Sequence, residues 1–293
     1  MASTRLKVAS TPNVPHVSVP GSSDDEVFAD EVSDADVAHL LAEAAGAMVR
    51  ALREDFDSSA LRTRDGSRAL RDAGDQGAHE FLMDRLAYLR PRDAVLSEEG
   101  ADDPARLTAE RLWIVDPLDG TWEYGQGRDD WAVHVALWEH GALVAGAVSL
   151  PCSDLTYSTS PSRSARSSIS SEIPTSRPIR IAVSRTRAPS NIAEIAAGLE
   201  RLTDRPVELV PMGSAGAKAG EVLAGRVDVY LHDSGLSEWD VAAPAVVAVA
   251  AGCLVWRFDG SQLRFNQWPP LVDGLVISTP GLAPYVREVL NEQ

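Results

Sequence analysis

Asp116 and Asp119 stand three residues apart in the run WIVDPLDGT over 113–121. An apolar strand delivers Asp116 at its carboxyl end, Pro117 is expected to stop the strand, and Asp119, Gly120 and Thr121 turn the chain. Two carboxylates so spaced can face one point, and a helical turn after them would leave the amides of Gly120 and Thr121 free to donate to a phosphate. Asp-Pro and Asp-Gly are also ordinary turn dipeptides, and Thr121 could be no more than a cap. The wider pattern favours chemistry. Glu98 and Glu99 follow the apolar Ala94, Val95 and Leu96; Asp240 is expected just before a long apolar helix; and Asp75 is expected at the start of another helix. Acids gathered at element ends supply hard oxygen ligands of the kind Mg²⁺ takes.

Lysine occurs only at positions 7 and 218, the other basic residues of the 27 being arginine. A single mid-chain lysine suits a compact charge for a phosphate, although an incidental lysine reads equally from the sequence. Ser214 stands at the expected start of the same helix.

Composition bounds the partners. With 43 acidic against 27 basic residues the net charge is -16, which disfavours nucleic acid and anionic membrane surfaces. A small phosphorylated metabolite stays accessible if carboxylate-held cations invert the local field. Cys152 and Cys253 are far apart and without metal-ligand spacing, and are expected to be buried thiols in a reducing compartment. The apolar stretch over 241–256 contains Pro244 and is shorter than the ~20 residues of a spanning helix. Pro12, Pro15 and Pro20 interrupt the place where a signal peptide would be apolar, so the cytoplasm is expected.

The elements that must position the acids follow from periodicity. Residues 1–30 are rich in Ser, Pro and Val and are expected to form a disordered tail. Ser33 with Asp36 has the form of a helix cap ahead of Val37, Leu41, Ala45, Met48 and Leu52. A second helix is expected over 77–89, and strands over 94–96, 112–115, 133–137 and 143–150. These make an α+β N-terminal half over 31–155 that carries most of the acids. A Ser-rich linker is expected over 156–177, and an α/β half over 178–293 that alternates strands with helices over 191–202, 215–223, 241–251 and 283–290.

Glu98–Glu99, the run at 113–121 and EWDVAA at 238–243 resemble, in that order, the signature of the inositol monophosphatase superfamily, over roughly residues 34–288. DGTWEY at 119–124, Ser97–Glu98–Glu99 and GSAGAK at 213–218 are similar to the bacterial CysQ-type 3′-phosphoadenosine 5′-phosphate phosphatases. GRDDWAVHVALW at 127–138 looks like their actinobacterial branch. The resemblance implies a five-layer α-β-α-β-α sandwich of the inositol monophosphatase and fructose-1,6-bisphosphatase type, a homodimer, two or three Mg²⁺ ions and sensitivity to Li⁺. It implies that Glu98, Asp116 and the Leu118 carbonyl hold one ion, and that Asp116, Asp119 and Asp240 hold another. Thr121, oriented by Asp75, would position the attacking water; Asp72 is the rival of Asp75, because the threonine usual before the first acid is missing from LRDAGD. Substrate contacts are implied for Glu98, Leu118, Asp119, Gly120, Thr121, Ser214, Lys218 and Asp240. The activity implied is hydrolysis of the nucleotide's 3′-phosphate without a phosphoenzyme. The alternatives are an inositol 1-phosphate or fructose 1,6-bisphosphate phosphatase, with Asp233 or Glu238 on sugar hydroxyls, and a non-catalytic metabolite-binding relative.

Overall fold

A computed structural model describes residues 32–56, 63–172 and 175–292, so the expectation for the N-terminal tail lies outside the described residues. Helix α1 (Asp34–Asp55) begins where expected, with the Ser33 hydroxyl accepting the Asp36 amide at 3.1 Å. Helix α2 (Arg64–Leu89) starts far ahead of the expected 77–89, capped by the Thr63 hydroxyl at 3.0 Å from the Gly66 amide. Its first half faces the core through Ser67, Leu70, Gly74 and Ala78. Small residues carry little hydrophobic periodicity, which hid that stretch from a pattern reading. Asp75 therefore sits inside the helix rather than at its start.

Strands β1 (Ala94–Ser97), β2 (Arg111–Asp119), β3 (Ala132–Glu139), β4 (Ala142–Leu150) and β5 (Leu155–Ser158) form one sheet in that order, β1 and β2 parallel and the rest antiparallel. Pro117 does not end β2: pairing with β3 resumes at Asp119 after a register shift from Asp116. Pro117 lies in the irregularity, where no ladder hydrogen bond is lost. Helix α3 (Thr121–Gly125) follows at once, with Gly120 at φ 90° as its cap, a backbone state suited to glycine. Strand β5 takes the first residues of the expected linker into this sheet, since Thr156 and Tyr157 pair with Ser149 and Val148.

The second half supplies β6 (Ile179–Ser184), α4 (Ile192–Thr203), β7 (Val207–Met212), α5 (Ala215–Leu223), β8 (Val229–His232), β9 (Leu236–Ser237), α6 (Glu238–Ala250), β10 (Leu254–Trp256), β11 (Leu271–Val272), β12 (Leu275–Ser278) and α7 (Ala283–Asn291). Its sheet runs β10-β12-β8-β6-β7, with β6 parallel to both neighbours, and β9 and β11 form a separate two-residue ribbon.

Alternation along the strands sorts these parts into five layers. Trp113, Val115, Val133 and Val135 meet Val37, Leu41, Leu82 and Leu86 of α1 and α2. Their neighbours Leu112, Ile114 and Ala136 face inward onto Ala217, Val222, Val241 and Ala245 of α5 and α6. Ala182, Tyr230 and Ile277 of the second sheet close that same middle layer, while Ile181, Leu231 and Val276 face Ile195, Leu199, Val286 and Val289 of α4 and α7. The order is α1/α2, sheet, α5/α6, sheet, α4/α7: the five-layer sandwich expected from the resemblance. Among the described residues no helix is long and apolar enough to cross a membrane.

Candidate active site

The irregular end of β2 and the first turn of α6 meet in the middle layer. Carboxylate oxygens of Asp116, Asp119 and Asp240 all lie within 4.8 Å of one another, a grouping able to hold a metal ion. Helix α6 begins at Glu238 rather than near 241, so Asp240 belongs to its first turn, where its Oδ2 accepts the Ser237 amide at 2.6 Å in a capping box. Glu98 follows β1, its amide donating to the Val115 carbonyl at 3.4 Å; its carboxylate is not one of the three within 4.8 Å, but its charge is felt at Asp116.

Asp116 and Asp119 are buried, Asp240 is half-buried and Glu98 stands exposed at the rim, and acids so gathered cannot all carry charge without a counter-ion. Burial, then the charge of Glu98 and those of Asp119 and Asp240, drive Asp116 well above the usual carboxylate range. Burial and Asp240 push Glu98 up to about 7, and burial and Asp119 bring Asp240 to about 6. Burial acts on Asp119 in the same direction, but His134, Lys218 and Ser214 outweigh it and hold Asp119 at about 2. Asp116 Oδ1 accepts the Leu118 amide at 3.1 Å, whereas its Oδ2 is buried with no hydrogen-bond partner. An orphaned carboxylate oxygen, clustered acids and the absence of sulfur ligands fit a hard divalent cation.

Asp119 is fastened on its other side. Its Oδ2 accepts from the Ser214 hydroxyl at 2.5 Å and the Gly216 amide at 2.7 Å, both at the start of α5. Thr121 Oγ1 lies 3.0 Å from the Leu118 carbonyl and 3.4 Å from Asp75 Oδ1. Asp75 is thus the acid beside Thr121; Asp72 points away and pairs with Arg68 at 3.7 Å. Burial and the charge of Glu99 raise Asp75 to about 7, against a lowering by Thr121.

Lys218 is only 1% exposed. Its ammonium donates to the Gly213 carbonyl and, at 2.8 Å, to that of Ser214, and it lies 5.0 Å from the centroid of the Tyr230 ring. Burial lowers it to about 8. Glu238 is fully buried and accepts the amides of Asn266 at 2.8 Å and Gln267 at 2.7 Å, so it anchors a loop instead of offering itself to sugar hydroxyls. Of the cysteines, Cys253 is buried as expected, but Cys152 is only partly so and lies 3.1 Å from an Arg53 nitrogen; both thiols are free.

The sequence reading gave no role to His134. It lies on β3 between Ala132 and Ala136, at a position facing the middle layer. Its Nε2 is 3.2 Å from Asp119, and its Nδ1 is 4.0 Å from Asp116 and 3.1 Å from the Trp239 carbonyl. The signal was present as a lone polar residue on the inward face of an otherwise apolar strand. Recognising it required knowing which face is inward.

The model of the inositol monophosphatase family matches residues 30–291. The 3′-phosphoadenosine 5′-phosphate phosphatase of Mycobacterium leprae is 43% identical over 281 residues, 92% of this chain and 98% of that protein. The 3′(2′),5′-bisphosphate nucleotidase CysQ of Escherichia coli K12 is 32% identical, over 66% of this chain and 78% of that protein. Among solved structures, CysQ from Bacteroides thetaiotaomicron superposes with a TM-score of 0.65 at 26% identity, covering 84% of this chain and 97% of that one.

Proposed function

The chain belongs to the inositol monophosphatase family, and on that premise we propose that it removes the 3′-phosphate of 3′-phosphoadenosine 5′-phosphate with the help of Mg²⁺. It is an enzyme of the metal-dependent phosphomonoesterase type. The observation that carries the reading is the buried, partnerless Oδ2 of Asp116 amid the carboxylates of Glu98, Asp119 and Asp240. The nucleotide substrate is supported by the names of the relatives at 43% and 32% identity.

Glu98, Asp116, the Leu118 carbonyl, Asp119 and Asp240 would hold two or three ions. When bound, divalent cations lower the pKa of a water molecule and offset charge gathering on phosphoryl oxygens. The protein's own groups prepare that chemistry. Ser214 and Gly216 hold Asp119 in place through its Oδ2, leaving Oδ1 for an ion. Asp75 beside Thr121, with its pKa at about 7, is suited to take a proton from a water that the Thr121 hydroxyl orients. Gly120 and Thr121 offer backbone donors next to Asp119. The same reading carries with it a homodimer, a cytoplasmic location and inhibition by Li⁺. The sugar-phosphate alternative loses one of its two hydroxyl ligands, because Glu238 is committed to Asn266 and Gln267.

Phosphate release from the bisphosphate nucleotide, myo-inositol 1-phosphate and fructose 1,6-bisphosphate tests the proposal. The nucleotide is expected to have the highest kcat/KM. A sugar phosphate ahead by about tenfold, or roughly 1.4 kcal/mol of transition-state binding, would overturn the substrate. Nucleotide binding without turnover at millimolar Mg²⁺ would instead favour a non-catalytic relative.

A further inference from the structure

The turn that opens α5 is gripped from the side of the first sheet. Arg185, the residue after β6, donates its amide to the Met212 carbonyl at 2.8 Å and so lies beside the end of β7. Its guanidinium reaches across to Glu123 of α3 and to Asp130 of the segment before β3, both at 2.6 Å. Asp130 has a second task. The same Oδ2 accepts the Gly213 amide at 2.8 Å, and its backbone carbonyl accepts the Ser214 amide at 3.4 Å. Glu123 fills the space over residue 213, where a Cβ would stand 2.0 Å from its Cδ, so a larger residue there would drive the carboxylate out of the clamp.

What this grip holds is the pair of donors that fix Asp119. The Ser214 hydroxyl and the Gly216 amide both donate to Asp119 Oδ2, and both belong to the turn and first residues of α5 that Asp130 and Glu123 hold. Glu123 and Asp130 lie between β2 and β3 of the first sheet, whereas Arg185 and Gly213 follow β6 and β7 of the second. The clamp therefore ties the two sheets together next to a carboxylate of the site. Glu123 is buried and Asp130 half-buried. For charges so enclosed, desolvation cancels much of the attraction, so the grouping is a poor source of stability and is better understood by what it holds in place.

We propose that Arg185 is a positioning residue for Asp119: through Glu123 and Asp130 it fixes the start of α5, and Ser214 and Gly216 pass that placement on to the carboxylate. This rests on the metal-dependent reading given above. Charge alone would give Arg185 the opposite effect. A guanidinium near a cation site repels the cation, so its loss tightens binding if charge is all that matters and loosens it if alignment is what the residue supplies.

The test titrates Mg²⁺ alone, without nucleotide, into the full-length protein by isothermal calorimetry. The parent is compared with Arg185→Met, Arg185→Lys, Asp130→Ala and the double variant of Arg185→Met with Asp130→Ala, and thermal melts establish that each is folded at the titration temperature. Arg185→Met is expected to bind Mg²⁺ roughly tenfold more weakly, the lower end of what losing support of a metal ligand costs, because its influence runs through intervening groups. Arg185→Lys keeps the charge but gives up the planar fork, and its affinity should fall between those two. Where Arg185→Met does not fold, Arg185→Lys carries the same test. Asp130→Ala should also weaken binding, and the double variant should be no weaker than the weaker single by more than about twofold, since one clamp is broken only once. Unchanged or tighter binding in Arg185→Met, parental affinity in Arg185→Lys, or full additivity in the double variant overturns the assignment while the metal site stands. A parent protein that binds no Mg²⁺ overturns both.

Discussion

His134 Nε2 lies 3.2 Å from the Asp119 carboxylate, in a space that exists because residue 216 is glycine. A Cβ at 216 would stand 2.2 Å from that nitrogen and 2.7 Å from Ala132 Cβ. Gly216→Ala is therefore expected to lower stability by about 1–3 kcal/mol, the usual range for overpacking, and to pull the start of α5 away from Asp119. Removing the imidazole should relieve part of the loss, so His134→Ala with Gly216→Ala should be less destabilised than the sum of the single variants. Urea titrations of the four proteins check the coupling; strict additivity would separate the two residues.

Asp116 carries the largest burden of like charge in the site. Asp116→Asn should abolish phosphate release and, without metal, raise thermal stability by roughly 2 °C or more, because folding then no longer has to return to residue 116 a proton that the unfolded chain has released. Calorimetry in chelator, together with a phosphate assay, tests both halves. Near-parental turnover in this variant would remove Asp116 from the mechanism.

The metal-free protein should lose stability as pH rises from about 4 to about 7. Glu98 at about 7 against an ordinary 4.5, Asp75 at about 7 and Asp240 at about 6 against 3.8 all keep protons in the folded state that the unfolded chain has already released. Where the unfolded state binds fewer protons, stability falls with pH. A divalent cation replaces those protons, so the rise in melting temperature produced by Mg²⁺ should be larger at pH 8 than at pH 5.5. Thermal melts with and without Mg²⁺ read this directly; an equal rise at the two pH values would count against ion binding by these acids.

Glu238→Gln is expected to destabilise by about 1–3 kcal/mol, since one carboxylate oxygen that accepts a buried amide becomes a donor facing a donor. The order of substrate preference should stay as in the parent when rates are measured well below the melting temperature. A changed preference between nucleotide and sugar phosphates would instead put Glu238 in contact with substrate.

The parts legible in the sequence were those written in local pattern. Ser33 announced α1, the short apolar run at 133–137 announced β3, and the DPLDGT run announced a turn bearing two acids. The parts that escaped had weak local signals or depended on distant partners. The first half of α2 buries the single large apolar residue Leu70 among the small Ser67, Gly74 and Ala78, so its period was faint. Pro117 looked like a strand stop, but a register shift against β3 carries β2 past it to Asp119. The hydrogen bonds that the Lys218 ammonium donates to the carbonyls of Gly213 and Ser214 had no local signal either.

By itself the sequence determined the kind of chemistry, because residue type and spacing fix which ligands exist: acids at 98, 116, 119 and 240 are oxygen donors wherever they lie. Only the tertiary structure decided which of them share a volume, that Asp75 rather than Asp72 faces Thr121, and that the Lys218 ammonium turns onto the carbonyls of Gly213 and Ser214. Those outcomes depend on burial and on hydrogen-bond partners far away in the chain. A basic side chain has the same charge in every sequence, and what it can bind is settled by the groups that fold against it.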